Sequence, residues 1–557
     1  MSGAERRLLR GTGPDLGPIA TRLPEDQRSL LHVLELQAQQ RPDHPWAVVD
    51  GTAVTYAQAR TAAHRFADAL ARERLHEPHV ALLMRNHEQF LPVFLGAQYA
   101  AGVAVPLNPE LQGPLLARML AVCRATVLVV HADLAERLVT LESLSDVRLV
   151  LVCGTGSEAL PSLPGVMVAR LAEWLAGAEP REPRKLPRPW DVGALVFTSG
   201  TSGGSKAAVW THQYMHLTSA CMCDTMQHTE HDVLSTPLQM CHIAGLQVFA
   251  FAALQLGATT HLKSRFSARH WWEQIARDGA TFSMLMGQMA AMILAEVETA
   301  PAHRLRRVYI LPRPAERVEF ERRYGTTVLW QGWGMTEIFP HTPRRDPLAG
   351  VPDDTIGPAP AWVDWGVVDE HDRLCAPGEL GELVYRPLIA DGMASGYFED
   401  AAATAAAFRN FMFHTGDLGY YDEHQLMHFV MRNQDAIRRR GENVSAVELE
   451  AVALRHPAVL EAAAFAIPAA MGEHEVKLDL VLGWPETLAD LHDWLVTQLP
   501  RFMVPTYLEQ RESLPKTVSQ RVEKYKLAEQ GVDRPEVAVF PARRRPSRAE
   551  QARIANN

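Results

Sequence analysis

No stretch of this sequence stays apolar long enough to cross a bilayer, which takes about 20 residues as a helix. The longest such run, Leu246 to Gly257, is broken by Gln247 and Gln255 and reads as a buried helix. The opening MSGAERRLLR leads into no apolar signal core. Cysteine is scarce: six among 557 residues, too few for a disulfide framework. Cys221 and Cys223 form a C-x-C with no second pair at zinc-finger spacing, so packing is expected of them. Positive charge is not in excess either. The formal net charge is −10, opposite to the basic footprint of a nucleic-acid binder. No internal repeat is found. The expectation is a soluble, cytoplasmic protein with no membrane span and no nucleic-acid partner.

The bulk composition, 47% hydrophobic and 22% charged, is that of a globular protein. The length exceeds one ordinary core, so two or more domains are expected. Helical spacing of apolar residues runs from Leu30 to Ala38, Tyr56 to Leu75 and Gln89 to Ala101. Val80 to Met84 is a short strand, and VAVPLNP ends in a turn. Such alternation continues to about residue 310 and implies an α/β architecture. Residues 1–28 are mixed and polar, and a loose arm is expected. AEPREPRKLPRP, Ala178 to Pro189, reads as a surface linker. Glycines and short β-like runs dominate from Gly357 to Phe398. Past residue 432 the pattern is a helix, two strands and another helix. From about Val532 no apolar pattern remains, so a disordered tail is expected.

One loop stands out. Residues 198 to 207 read TSGTSGGSKA and follow ALVF, Ala194 to Phe197, a buried strand by its composition. Glycines let successive backbone N–H groups turn inward and form a nest for an anion. The hydroxyls add donors, and Lys206 adds a mobile positive charge. The loop is therefore suited to a polyphosphate, although a flexible Gly/Ser loop has the same composition. It is not a Walker A loop, because Lys206 lies between Ser205 and Ala207.

Three later motifs occur in order: WQGWGMTE (Trp330 to Glu337), HTGD (His414 to Asp417) and MRNQDAIRRRGENVSAVELE (Met431 to Glu450). With the loop, and with VAVPLNP and GELVYRP (Gly381 to Pro387), the chain resembles the adenylate-forming superfamily from about Leu30 to Leu527. That superfamily includes acyl-CoA synthetases, luciferases and peptide-synthetase adenylation domains. The texture is closest to AMP-forming acyl-CoA ligases of medium-chain, carnitine-type or aromatic acids.

The resemblance implies a large N-terminal domain of layered α/β sheets with a small β-barrel-like part, residues 29–431. A small mobile α+β lid would follow at 432–531, with an arm at 1–28 and a tail at 532–557. It implies an enzyme that uses ATP and Mg²⁺ to turn an acid into an acyl-adenylate, then passes the acyl group to CoA. Joining two anions requires neutralised charge and aligned reactants. Thr198, Ser199, Gly200, Thr201, Ser202, Gly203 and Lys206 would hold the β- and γ-phosphates. Thr336 would donate to a phosphate oxygen, and Glu337 would hold Mg²⁺. Trp333, between Gly332 and Gly334 and before Met335, would offer a flat face to adenine; its plainer reading is a core aromatic. Asp417 would accept the ribose hydroxyls, and Arg432 would contact ribose or phosphate. His242, in PLQMCHIAGL, and Gly287 and Met289, in MLMGQM, would wall the acid pocket; core packing competes for the methionines. The hinge falls at Gln434. Arg438, Arg439 and Arg440, with Gly441, Glu442 and Asn443, would serve the second step. Ser445-Ala446-Val447-Glu448 is a capping box that starts a helix.

Three departures from the superfamily pattern stand out. LPKTVSQRVEKYKL places Gln520 and Arg521 where Gly and the catalytic lysine are usual. Arg521 keeps the charge, with Lys524 or Lys526 as substitutes. YILPRP, Tyr309 to Pro314, lacks the glycine usual near adenine. Gln434 replaces a charged hinge residue. Two alternatives therefore remain open. One is adenylation of another oxyacid such as nitrite, with an amine as acceptor, or acyl transfer to a carrier-protein thiol. The other is a nucleotide-binding scaffold without catalysis, which gives no reason to retain Lys206, Thr336, Glu337, Asp417 and Arg432 together.

Overall fold

Val80–Leu83 and Val127–Val130 carry no polar side chain and are buried completely. Such runs suit parallel strands covered on both faces, and the computed structural model of the protein places them there. It describes residues 8–12, 15–75, 77–111, 113–141, 143–155, 160–183, 185–198, 206–311, 316–329, 332–338, 355–357, 359–432, 436–439, 442–468, 474–499, 503–517 and 522–540. The described residues fall into two units. The first holds those from 8 to 198, 206 to 415 and 420 to 429; the second holds 416–419 and those from 430 to 540.

The first unit contains two seven-stranded sheets. One runs in the order Ala207–Thr211, Val192–Phe197, Val103–Leu107, His79–Leu83, Val127–His131, Leu149–Cys153, Met167–Arg170. All neighbours are parallel except the first pair, a hairpin that encloses the glycine-rich loop. The other runs Thr327–Leu329, Arg307–Leu311, Phe282–Met286, Val233–Thr236, Thr259–Leu262, Pro45–Val49, Thr52–Thr55. It too is parallel up to its final hairpin. A five-stranded sheet orders Leu9–Arg10, Val363–Val368, Gly381–Pro387, Phe413–Tyr421 and Met427–Arg432. Its first two pairings are antiparallel, and Trp333, Trp362, Trp365, Tyr385 and Phe413 pack in its core. This mixed α/β architecture is the one expected.

Helices Leu30–Gln40, Tyr56–Arg72 and Phe90–Tyr99 fall where the apolar spacing put them. Thr55 and Gln58 close a reciprocal capping box at the start of the second. Glu35 ties the three together: its carboxylate accepts from Arg60 Nε and Tyr99 Oη and pairs with His64 Nε2. The long apolar run is buried throughout, as expected, but its first part, Ala244–Phe251, winds as a π-helix before the α-helix Ala252–Leu256. Among the described residues no helix is long and apolar enough to cross a membrane.

Within the arm expected at residues 1–28, several of the described residues are held by distant partners. Leu9 and Arg10 pair with Trp365 and Asp364, and Gly11 N donates to Val363 O at 2.9 Å. A Cβ on Gly11 would lie 1.8 Å from Pro360 O, so only glycine permits this approach. The Asp224 carboxylate accepts from Ile19 N at 3.1 Å and Ala20 N at 3.2 Å. The tether is a distant acid, which no local pattern reveals.

In the second unit the hairpin Ala436–Arg439/Glu442–Ser445 precedes helix Ala446–Ala453. A sheet follows in the order Val459–Pro468, His474–Leu482, Tyr507–Arg511, Val537–Val539, with helices Leu488–Gln498 and Lys524–Ala528. Of the tail expected to be disordered from Val532, residues 532–540 are ordered, and 541–557 lie outside the described residues. Val537–Val539 pair with Tyr507–Glu509, and Lys477, fully buried against Glu509, donates to Gly531 O at 3.1 Å. Arg534 joins Glu509 as well. Strand pairing, the Arg534–Glu509 ion pair and the scattered apolar residues Val532, Val537 and Phe540 hold this segment, and without an apolar run its composition looked structureless.

Candidate active site

The hairpin of Val192–Phe197 and Ala207–Thr211 continues one step past its strands. Thr198 N donates to Lys206 O at 2.9 Å, and Lys206 N donates to Thr198 Oγ1 at 3.4 Å. The two ends of the glycine-rich loop are thus clamped side by side. Ser199, Gly200, Thr201, Ser202 and Gly203 lie outside the described residues.

Two further segments meet the Lys206 strand. Met335 and Ile338 exchange backbone hydrogen bonds of 2.8 and 3.2 Å, forming a tight turn that holds Thr336 and Glu337. Thr336 O accepts from Trp210 Nε1 at 2.9 Å and Tyr214 Oη at 3.3 Å. Trp210 and Tyr214 are buried, and their rings meet edge to face. Burial above all pushes the Tyr214 phenol well above its usual range, and the Glu337 charge adds to this, so it stays a neutral donor. Ser395–Phe398 lies along Ala207–Val209: Ser395 N donates to Val209 O, Val209 N to Gly396 O, and Phe398 N to Ala207 O. Gly396 takes φ +131°, a conformation that favours glycine.

Tyr397 is what this register places. Its Oη donates to Glu337 Oε1 at 2.6 Å, and the Lys206 ammonium lies 4.9 Å above its ring. Ala394 N donates to Glu337 O at 2.8 Å. Glu337, Thr336 and Lys206 are therefore brought near one another, with Glu337 buried and Lys206 half-buried. The spacing of the first motifs did not reveal Tyr397. Its signal was the S-G-Y triplet after GELVYRP, in which glycine supplies the backbone turn.

Trp333 packs in the core of the five-stranded sheet, with one face stacked on Tyr385 at 5.0 Å. That is its plainer reading, and it takes one face from any adenine. Gly332 is buried, Gly334 exposed and Met335 half-buried. Asp417 is 3% exposed in the Phe413–Tyr421 strand, beside Thr415, whose hydroxyl donates to Leu383 O. Arg432 ends the Met427–Arg432 strand.

His242 is exposed just before the π-helix, where its Nδ1 accepts from Ala244 N at 3.3 Å. It follows the carboxyl end of strand Val233–Thr236. Gly287 follows the carboxyl end of the neighbouring parallel strand Phe282–Met286, and Met289 packs partly buried one turn on. The carboxyl edge of an open parallel sheet is where ligands bind. Pro312 to Pro314 of YILPRP fall outside the described residues.

In the second unit Arg438 and Asn443 are register partners, as are Arg439 and Glu442. Arg439 does not fit a CoA-phosphate role: it is 3% exposed and donates to Val504 O and Thr506 Oγ1, both at 2.6 Å. Gln434, Arg440, Gly441 and Arg521 lie outside the described residues. Both substitutes for Arg521 are committed elsewhere. Lys524 Nζ is 2.9 Å from Glu450 Oε1, and Lys526 pairs with Glu523 at 2.5 Å.

Among the described residues no three His, Cys, Asp or Glu side chains are arranged to hold a metal. Mg²⁺ asks for less: one or two carboxylates, substrate phosphates and its own waters. A buried Glu337 oriented by a phenol, beside a lysine, fits that ion bound with a nucleotide.

Comparisons with known proteins give the family and the fold of the chain. Residues 34–398 match the family described as AMP-binding enzyme, and residues 448–521 match its C-terminal domain. The crotonobetaine/carnitine–CoA ligase of Salmonella arizonae is 29% identical over 80% of this chain and 87% of its own. The fold is also that of an anthranilate CoA ligase solved with anthranoyl-AMP (TM-score 0.79, 21% identity, 92% of this chain and 98% of that one). It is shared with the o-succinylbenzoate CoA synthetase of Bacillus subtilis solved with ATP and magnesium (TM-score 0.76, 23% identity, 89% and 98%). With the larger match spanning well over half its length, the chain belongs to the AMP-binding enzyme family of adenylate-forming ligases.

Proposed function

We propose that this protein is an AMP-forming ligase that activates a small organic acid, aromatic or medium-chain, and transfers it to CoA. In the first step a carboxylate oxygen attacks the α-phosphorus of ATP, the bond to the β-phosphate bridging oxygen breaks, and pyrophosphate leaves. In the second the CoA sulfur attacks the acyl carbon, AMP leaves, and the thiol proton passes to solvent. The observation that carries this reading is the convergence of Lys206 and Glu337 on Tyr397 at the neck of the glycine-rich loop.

Each residue then has a physical task. Lys206 and the loop hold the β- and γ-phosphates, and Thr336 donates to a phosphate oxygen. Mg²⁺ bound at Glu337 would supply further neutralisation of phosphate charge. Asp417 accepts the ribose hydroxyls, and Arg432 contacts ribose or phosphate. Arg521 draws the carboxylate toward the α-phosphate; the pairing of Lys524 and Lys526 with carboxylates supports that assignment. His242, Gly287 and Met289 wall the acid pocket. Arg438, Gly441, Glu442 and Asn443 serve CoA after the second unit turns about Gln434. The relatives, named for crotonobetaine or carnitine and for anthranilate, support a compact acid rather than a long chain.

A panel of carboxylic acids incubated with ATP and Mg²⁺, with and without CoA, tests this. Acid-dependent pyrophosphate release and a CoA-dependent thioester are expected. Nitrite-dependent AMP with an amine acceptor, or ATP binding without turnover on any acid, would replace this reading by one of the alternatives.

A further inference from the structure

Tyr397 belongs to none of the groups assigned to nucleotide, acid or CoA, yet it touches two of them. Its hydroxyl donates to Glu337 Oε1 at 2.6 Å, and its ring lies 4.9 Å beneath the Lys206 ammonium. One side chain thus spans the carboxylate and the cation of the polyphosphate end. Its own backbone is fixed from several sides. It forms a bridge with Ala208, two residues past Lys206. Its N–H donates to Thr404 Oγ1 at 2.9 Å, and Thr404 in turn donates to Asp400 O at 2.8 Å. Gly396 before it cannot accept a side chain, since a Cβ there would stand 2.7 Å from Thr404 Cγ2. Both backbone neighbours of the phenol therefore answer to the Lys206 strand, while Ala394 N ties the same segment to Glu337 O.

We infer that Tyr397 is a positioning residue that sets the geometry of the metal and polyphosphate site before nucleotide arrives. The inference rests on the ligase reading above. The phenol occupies one of about four lone-pair sites of the Glu337 carboxylate and fixes its plane. A carboxylate that need not be ordered at binding holds its ion more tightly. The ring holds the lysine near its working place by cation–π attraction, and the polyphosphate, a stronger partner, can draw it off. Hydroxyl and ring therefore have separable effects: the first on the metal, the second on the phosphates.

Two substitutions separate them. Tyr397→Phe keeps the ring and removes the donor; Tyr397→Leu removes both. Two quantities are read as Mg²⁺ is titrated: calorimetric binding of a non-hydrolysable ATP analogue, and acid-dependent ATP–pyrophosphate exchange. For Tyr397→Phe the Mg²⁺ midpoint should rise about tenfold in both, the worth of one hydrogen bond to a charged group. The KM for ATP at saturating Mg²⁺ should stay within about twofold. Tyr397→Leu should show the same Mg²⁺ shift plus an ATP KM raised about fivefold. An unmoved Mg²⁺ midpoint in Tyr397→Phe would overturn the inference. So would a loss spread evenly over Mg²⁺, ATP and acid parameters, which is the mark of general unfolding. If the unaltered protein shows no exchange with any acid, the ligase reading fails, and the calorimetric arm still decides what Tyr397 does for the metal–nucleotide complex.

Discussion

Glu337 is a carboxylate held 4% exposed, oriented through a phenol and fixed through its own backbone. Replacing it by glutamine keeps shape and hydrogen bonding while removing the charge a divalent ion needs. Glu337→Gln should lower acid-dependent turnover by about 100-fold, with magnesium-free ATP binding unchanged. Pyrophosphate release checks the first, calorimetry the second. A similar contrast applies to the cations near residue 520. Lys524 is bound to Glu450, so Lys524→Ala should cost stability more than adenylation. Arg521→Ala should slow pyrophosphate exchange by about 100-fold with the ATP affinity kept. Equal exchange rates in Arg521→Ala and the unaltered protein would take Arg521 out of the first step. At this scale the sequence was readable where a motif fixes one residue type at one place, as with Lys206, Thr336 and Glu337. It was unreadable where meaning comes from a non-local partner: Tyr397 waits on Glu337, Arg439 on Val504 and Thr506, and Trp333 on Tyr385.

Among the elements, the first three helices form around Glu35. Burial alone would raise its pKa, but hydrogen bonds from His64, Tyr99 and Arg60 and the Arg60 charge pull it down to about 2. A carboxyl depressed in the folded state stabilises fully above its unfolded pKa and loses that contribution as pH falls toward about 2. Glu35→Gln should therefore lower the apparent melting temperature at neutral pH by roughly 2–4 °C, a modest figure because the carboxylate is partly exposed. The gap to the unaltered protein should close between about pH 4.5 and 2; melting curves across that interval check it, and a gap independent of pH would remove Glu35 from the account of stability. Element positions themselves were largely legible. Buried parallel strands announce themselves as unbroken apolar runs, and the helices by spacing. The N-terminal strand, the hairpin at Ala436–Ser445 and the last strand, Val537–Val539, were not. The first and last of these are two and three residues long and depend on partners elsewhere in the chain; the hairpin's strands, four residues each, pair only with one another and are too short to show a pattern.

For the molecule as a whole, the residues proposed for the reaction fall in both units. The first carries the Lys206, Thr336 and Glu337 constellation, and the second carries Asp417, Arg432 and the segment around Arg521. A family that first joins acid to nucleotide and then exchanges nucleotide for a thiol needs two sets of groups, and a hinge at Gln434 would present them in turn. What no motif specifies is the acid, since the residues proposed to wall its pocket come from separated segments and one methylene changes discrimination by only about 1–3 kcal/mol. Both steps can be seen in one experiment. Mass spectrometry of the protein with ATP, Mg²⁺ and the acid panel should detect an acyl-AMP when CoA is withheld. On adding CoA that species should vanish, with the thioester and AMP appearing in equal amounts. ATP bound but unchanged, with no acyl-AMP from any acid, would contradict it.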